Sequence, residues 1–164
     1  MIEVVIHALS LDADTSQPVV LLRSDLDDRL MPIWIGPSEA SAILLGIQGV
    51  DAPRPLTHDL LLRTVGAFGA HVDRIEIVEL DEGTFYANII LETEHGEIEI
   101  DARPSDSIAV AVRVGVPVYV SDDVWAEASF EAPPEDSEEE DSEIEVERFR
   151  EFLAHVEPED FGTS

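Results

Sequence analysis

The sequence contains no cysteine and no lysine; all nine of its basic residues are arginines. Without cysteine there can be no disulfide, no thiol nucleophile and no thiolate-held metal. No apolar run approaches the roughly 18 residues that a membrane-spanning helix needs. The opening MIEVVIHALSLDAD has no basic flank and reads as a first strand, not as a secretion signal. Also missing are a His-x-x-x-His pair, a DxDxDG calcium loop and a Walker-type glycine loop, so nucleotide hydrolysis finds no support.

What the chain has in excess is acid. Thirty-seven Asp and Glu against nine Arg give a formal net charge of −28 over 164 residues. Such a chain repels itself at ordinary ionic strength. In molar salt the Debye length shrinks to about 3 Å and much of that repulsion is screened. The composition is similar to that of proteins from salt-in halophiles, and the expected compartment is a counterion-rich cytoplasm. Most of the acids then serve solvation.

Length and a 45% hydrophobic content predict one domain with a real core over residues 1–130, plus an appendage. Residues 2–11 alternate apolar and polar, and PVVLLRS (18–24) and LMPIWI (30–35) add two short apolar runs. From Pro37 the period becomes helical, with Ala40, Ile43, Leu44 and Ile47 on one face. A second helix is expected to be capped by Thr57 and to turn Leu61, Val65 and Phe68 to one side. Strands follow at 72–80, 84–92 and 97–101, the first two joined by a tight turn at Asp81–Glu82–Gly83. A helix over Pro104–Val114 directs Ile108, Ala111 and Val112 inward and ends at Gly115. A short strand at 117–120 and a helical turn at DDVWAEAS complete the domain. Residues 131–147 hold ten acids and two prolines, so 131–142 reads as an acidic linker. Residues 143–164 are expected to hold an amphipathic helix and tail, with Ile144, Phe149, Phe152, Leu153 and Val156 along one face.

The chain contains a repeat. Ile33–x–Ile35 before Pro37–Ser38–Glu39–x–x–Ala42–Ile43 matches Ile98–x–Ile100 before Pro104–Ser105–Asp106–x–x–Ala109–Val110. Each copy follows three expected strands. The predicted fold is therefore α+β: a duplicated unit of three strands and a helix, forming mixed or antiparallel sheets packed with helices. Proline suits a first helical position, where its missing N–H is no loss. Glu39 and Asp106 then fall where a carboxylate meets free N–H groups and the positive end of the helix dipole. Capping accounts for both acids but not for Asp101 or Arg103, which stand before one helix only.

The segments MPIWIGPSEASAI, RPLTHDLL, DEGTFYANIILE and IDARPSDSIAVAVR resemble the bifunctional nuclease family, once a domain of unknown function, over about residues 1–128. The composition would make this a haloarchaeal-like member. Positions that match the family pattern are Glu39, His58, Asp59, Asp81, Gly83, Phe85, Tyr86, Asp101, Arg103, Pro104, Ser105 and Asp106. The resemblance implies a compact α+β domain and hydrolysis of RNA and DNA, the combined activities for which plant relatives were named.

Phosphodiester hydrolysis needs an activated water, neutralised phosphate charge and help for the leaving oxygen. His58, Asp59, Asp101 and Arg103 are the candidate catalytic residues: His58 as base, oriented by Thr57 or Asp59, and Arg103 as a phosphate clamp. Glu39, Asp101 and Asp106 are candidate ligands for Mg²⁺ or Mn²⁺, hard ions that favour oxygen. A duller reading makes Asp101–Arg103 a structural ion pair and the other acids helix starts. The whole would then be a non-enzymatic interaction module. Trp34 and Trp125 read as core or interface anchors. No basic stripe invites a polyanion, so binding must rest on metal bridging and on local arginines such as Arg54, Arg63 and Arg103. Free sheet edges predict a homo-oligomer, dimer or trimer, and no membrane partner is expected.

Overall fold

A strand needs a neighbour for its backbone, and two three-stranded meanders leave four open edges between them. The computed structural model, which describes residues 1–132, shows how most of these edges are closed. The first meander is β1 (Ile2–Leu11), β2 (Pro18–Ser24) and β3 (Arg29–Trp34), followed by α1 (Pro37–Ile47). After α2 (Thr57–Ala67) the pattern returns as β4 (His71–Asp81), β5 (Thr84–Thr93), β6 (Gly96–Ala102) and α3 (Pro104–Val114). Then come β7 (Val118–Val120), α4 (Asp122–Ala128) and β8 (Phe130–Glu131). β7 fills the seam between the meanders, antiparallel to β1 and parallel to β4. The result is one eight-stranded mixed sheet in the order β6-β5-β4-β7-β1-β2-β3-β8. The α+β class and the repeated strand–strand–strand–helix unit are both present, in a single continuous sheet.

The turn between β4 and β5 has only Glu82 and Gly83 as loop residues, with φ of 47° and 79°. Two successive positive φ values match the twist of the paired strands, and glycine takes the second without strain. α3 ends at Gly115, also left-handed at φ 72°, whose N–H closes on the Ala111 carbonyl.

α3 is the central helix. It lies alongside α1, touches α2 and packs on β4 and β5. Ile108, Ala109, Val110 and Ala111 are all buried, so it has no wet face at mid-length. Ile75, Ile77, Val120, Leu22 and Ile43 meet it or its neighbours in one contiguous core. Trp125 of α4 is buried as expected and donates its indole N–H to Asp27.

Several expectations need correction. α2 buries no residue; Leu61 and Phe68, read as its inward face, are 40% and 86% exposed. Ile47 at the end of α1 is half exposed. Thr57 is the first helical residue of α2, and Leu56 holds the cap position, its N–H bonded by the Asp59 carboxylate at 2.9 Å. β8 pairs with β3 and carries the sheet into residue 131, the first residue of the segment read as linker. Otherwise the linker and the terminal helix lie outside the described residues. Among the described residues no helix is long and apolar enough to cross a membrane.

Candidate active site

Duplication places two similar helix starts side by side, and the inserted α2 brings a third. Glu39 lies in the first turn of α1, His58 in that of α2 and Asp106 in that of α3, with Arg103 at the α3 cap position. These four side chains form one chain of contacts. His58 Nε2 lies 2.9 Å from Asp106 Oδ1. Arg103 Nε donates to Asp106 Oδ2 at 2.8 Å, and its Nη1 donates to Glu39 Oε1 at 3.0 Å. All four line a cleft of about 580 Å³, with Ser38 and Thr57 completing its floor. Three helix N-termini thus meet at one spot, each bringing free N–H groups and the positive end of its dipole.

An ionised carboxylate only accepts hydrogen bonds. With Asp106 ionised, His58 Nε2 carries the ring proton, and Nδ1 of the neutral imidazole remains an acceptor. Burial works hardest on the Asp106 carboxyl and raises its pKa, but hydrogen bonds from Arg103 and His58, together with the Arg103 charge, outweigh it. The net result lies below the usual carboxylate value. Arg103 is held more firmly cationic, first by its bond to Asp106 and, against some desolvation, by Glu39. The His58 side chain is only 12% exposed, whereas that of Arg103 is 65% exposed. The imidazole is shielded and oriented while the guanidinium still faces solvent. Gly36 matters here for space: a methyl at that position would fall on the Glu39 carboxylate.

Two further hollows open from the same arginine. One, of about 470 Å³, is apolar and runs between α2 and the β5–β6 edge, where Leu61, Val65, Leu91 and Ile100 face His58 and Asp101. The other, also about 470 Å³, is bounded by Trp34, Gly36, Glu39, Phe85, Arg103 and Pro104.

A model of the bifunctional nuclease domain matches residues 20–133, a span that holds every residue of this cluster. The chain belongs to that family. It is 48% identical to an uncharacterized protein of Mycobacterium tuberculosis over 162 residues, 97% of each chain. It is 26% identical to bifunctional nuclease 1 of Oryza sativa subsp. indica over 113 residues, 67% of this chain and 34% of the rice protein. Bifunctional nuclease 2 of Oryza sativa subsp. japonica is 30% identical over 108 residues, 63% of this chain and 33% of that protein.

In this member of the family the expected site residues separate into two groups. Glu39, His58, Arg103 and Asp106 come together. Asp101 lies on the rim of the apolar hollow, opposite Asn88 of β5, and makes no side-chain hydrogen bond or ion pair with a described residue. The anticipated Asp101–Arg103 ion pair is not formed, because Arg103 turns away from the strand to Asp106 and Glu39. Neither of those acids caps its own helix; both point at the arginine. His58 is oriented by Asp106 across the helix pair, not by Thr57 or Asp59 beside it. Asp59 belongs elsewhere: it bonds the Leu56 N–H and Arg113 Nε, the latter at 2.9 Å. The Leu56 bond, chiefly, and Arg113 hold its carboxyl below the usual range despite some desolvation.

Among the described residues, Glu39, Asp101 and Asp106 do not gather into a metal-holding group, and no other three His, Asp or Glu do so. Both Asp106 oxygens and one Glu39 oxygen are engaged by Arg103 and His58. This donor set does not fit a three-ligand cage.

Sequence reasoning missed two participants. Arg113, mostly buried, donates to Asp59 and to the Ala109 carbonyl and forms part of the cleft wall. The only hint was an arginine at the penultimate position of a helix whose second half is otherwise apolar. Trp34 was read as a core or interface anchor; it is not in the core, being 49% exposed, and lines a hollow with Arg103. It is the last residue of β3, where strand alternation no longer dictates burial.

Proposed function

We propose that this protein hydrolyses phosphodiester bonds of RNA or DNA, with the His58–Asp106–Arg103–Glu39 chain as its reaction centre. The carrying observation is the convergence of three helix N-termini on a shielded histidine whose partner acid also holds a solvent-facing arginine. In the proposed reaction, His58 Nδ1 takes a proton from the attacking water. Asp106 keeps the ring oriented through Nε2 and stabilises the imidazolium that forms. The free face of the Arg103 guanidinium and the helix N-termini neutralise the phosphoryl oxygens. A new P–O bond to water forms as the bond to the ribose or deoxyribose oxygen breaks; that oxygen leaves with a proton from solvent, and His58 returns its own proton to solvent. Glu39 fixes the tilt of Arg103.

Asp101 is the member of the expected ligand set whose oxygens are unengaged. It would hold Mg²⁺ or Mn²⁺ with water and substrate oxygens completing the shell, which is how Mg²⁺ is commonly bound. A cytoplasmic, salt-rich setting fits the acidity, since screening lets two polyanions approach.

A second reading has its own support. The same contacts tie α1, α2 and α3 together, and an ion-pair chain can do that without chemistry. On either reading β6 offers a seam for a second copy. Its run Glu97–Ile98–Glu99–Ile100–Asp101 is palindromic in chemical type. Antiparallel pairing centred on Glu99 sets isoleucine against isoleucine across a two-fold axis.

The decisive assay is cleavage of labelled single- and double-stranded RNA and DNA at low and molar KCl, with several divalent ions and an EDTA control. His58→Ala should lower the rate by at least about 10²-fold while circular dichroism and melting remain native-like. Asp101→Ala should abolish the EDTA-sensitive fraction. Folded wild-type protein that cuts nothing, or cleavage that survives His58→Ala, would sink the nuclease reading in favour of the structural tie.

A further inference from the structure

The arginine of the reaction centre also closes the hollow beneath Trp34 and Phe85. Nothing in the hydrolytic chemistry requires that hollow. Its size, about 470 Å³, falls in the range that small ligands fill. Its lining includes the half-exposed indole of Trp34 and the partly buried ring of Phe85. Glu39 and the Arg103 side chain line it too. The Trp34 indole N–H donates to Asp12 Oδ2 at 3.2 Å, which fixes the ring without covering it. Gly36 and Gly83 contribute only backbone to the lining of the hollow.

An exposed aromatic ring beside an arginine is the pairing that single-stranded nucleic acid uses: the base stacks, and the cation takes the adjoining phosphate. Paired bases inside a duplex cannot enter such a hollow without leaving the stack. We infer that the Trp34–Phe85 hollow is a nucleobase subsite, which takes an unpaired base next to the phosphate held by Arg103 and makes single strands the preferred substrate. This rests on the nuclease reading for its phosphate, while its binding test does not depend on cleavage.

The probe is a short single-stranded DNA oligonucleotide with phosphorothioate linkages, titrated in EDTA while tryptophan emission is followed. The chain has two tryptophans; Trp125 is buried, so a change on binding reports Trp34. Quenching is expected with the single strand and not with the same sequence as a duplex or with an abasic strand. Trp34→Ala should weaken binding, read by anisotropy of a labelled strand, by about tenfold or more. Trp34→Phe should restore most of it, which separates stacking from misfolding.

Quenching that needs bases and Trp34, in a protein that cleaves nothing, would keep the subsite and end the nuclease reading. Cleavage that needs His58 but proceeds equally on duplex and single strands, and ignores Trp34→Ala, would overturn the subsite and leave the nuclease reading standing. Binding that is equal for abasic and normal strands would also overturn it.

Discussion

At the scale of single residues, Asp106 is the joint on which the site turns. It serves two donors from two helices, and each donor needs it ionised. Its ordinary value is 3.8, and the folded protein holds it lower. An acid depressed on folding contributes stability above its unfolded value, and that stability is lost as pH falls through the folded value. Asp106→Asn should therefore be less stable than wild type above the ordinary carboxylate value of 3.8, with the gap closing as pH falls below it. Denaturant unfolding across that range checks it; a gap unchanged at low pH would mean that the Asp106 charge adds nothing. The same residue shows why a local reading misassigned its role. A carboxylate at the third helical position usually faces its own N-terminus. Here an arginine three residues earlier and a histidine 48 residues away both compete for it, and only the second lies beyond local sequence.

At the scale of elements, strands and helices were legible because their periods are short-range facts. The proline at each helix start, the Glu82–Gly83 turn and the Gly115 stop all encode local backbone geometry. Burial of α2 was not legible. An amphipathic pattern says which face is apolar, not whether anything covers it, and α2 leaves Leu60, Leu61 and Phe68 in water. β6 raises the same question at a sheet edge. If copies pair along it, light scattering in molar KCl should give a dimer mass. Ile98→Lys, outside the His58–Asp106–Arg103–Glu39 cluster, should then give monomers with an unchanged melting profile. A monomeric wild-type protein at high salt and high concentration would remove this seam. Salt belongs in that test because Glu97, Glu99 and Asp101 from both copies would face one another.

At the scale of the whole molecule, charge decides the conditions. The whole chain carries a net −28 while the described core is ordinary aliphatic packing, so the penalty lies in the field and not in any one contact. Raising KCl from about 0.1 M to about 2 M should raise the melting temperature, as the Debye length falls from about 10 Å to under 3 Å. A melting point that is flat or falls with salt would show that the acids are already neutralised by solvation at low ionic strength. Nucleic-acid binding should weaken less steeply with salt than for a basic protein, because few phosphates are met by cations.

The sequence by itself determined the order of the first seven strands and of the helices, the duplicated unit, the acid balance and the family, through the residues around 33–43, 54–61, 81–92 and 98–112. Each depends on spacing within a dozen residues or on composition. Tertiary structure decided which of the marked side chains meet. It joined Glu39, His58, Arg103 and Asp106, sent Asp59 to Arg113, left Asp101 alone on its rim and exposed Trp34 beside the arginine. The physical reason is that these pairings depend on how α1, α2 and α3 pack over a sheet whose two halves are joined by β7. That packing is set by the shape of the whole core and cannot be read from any one segment.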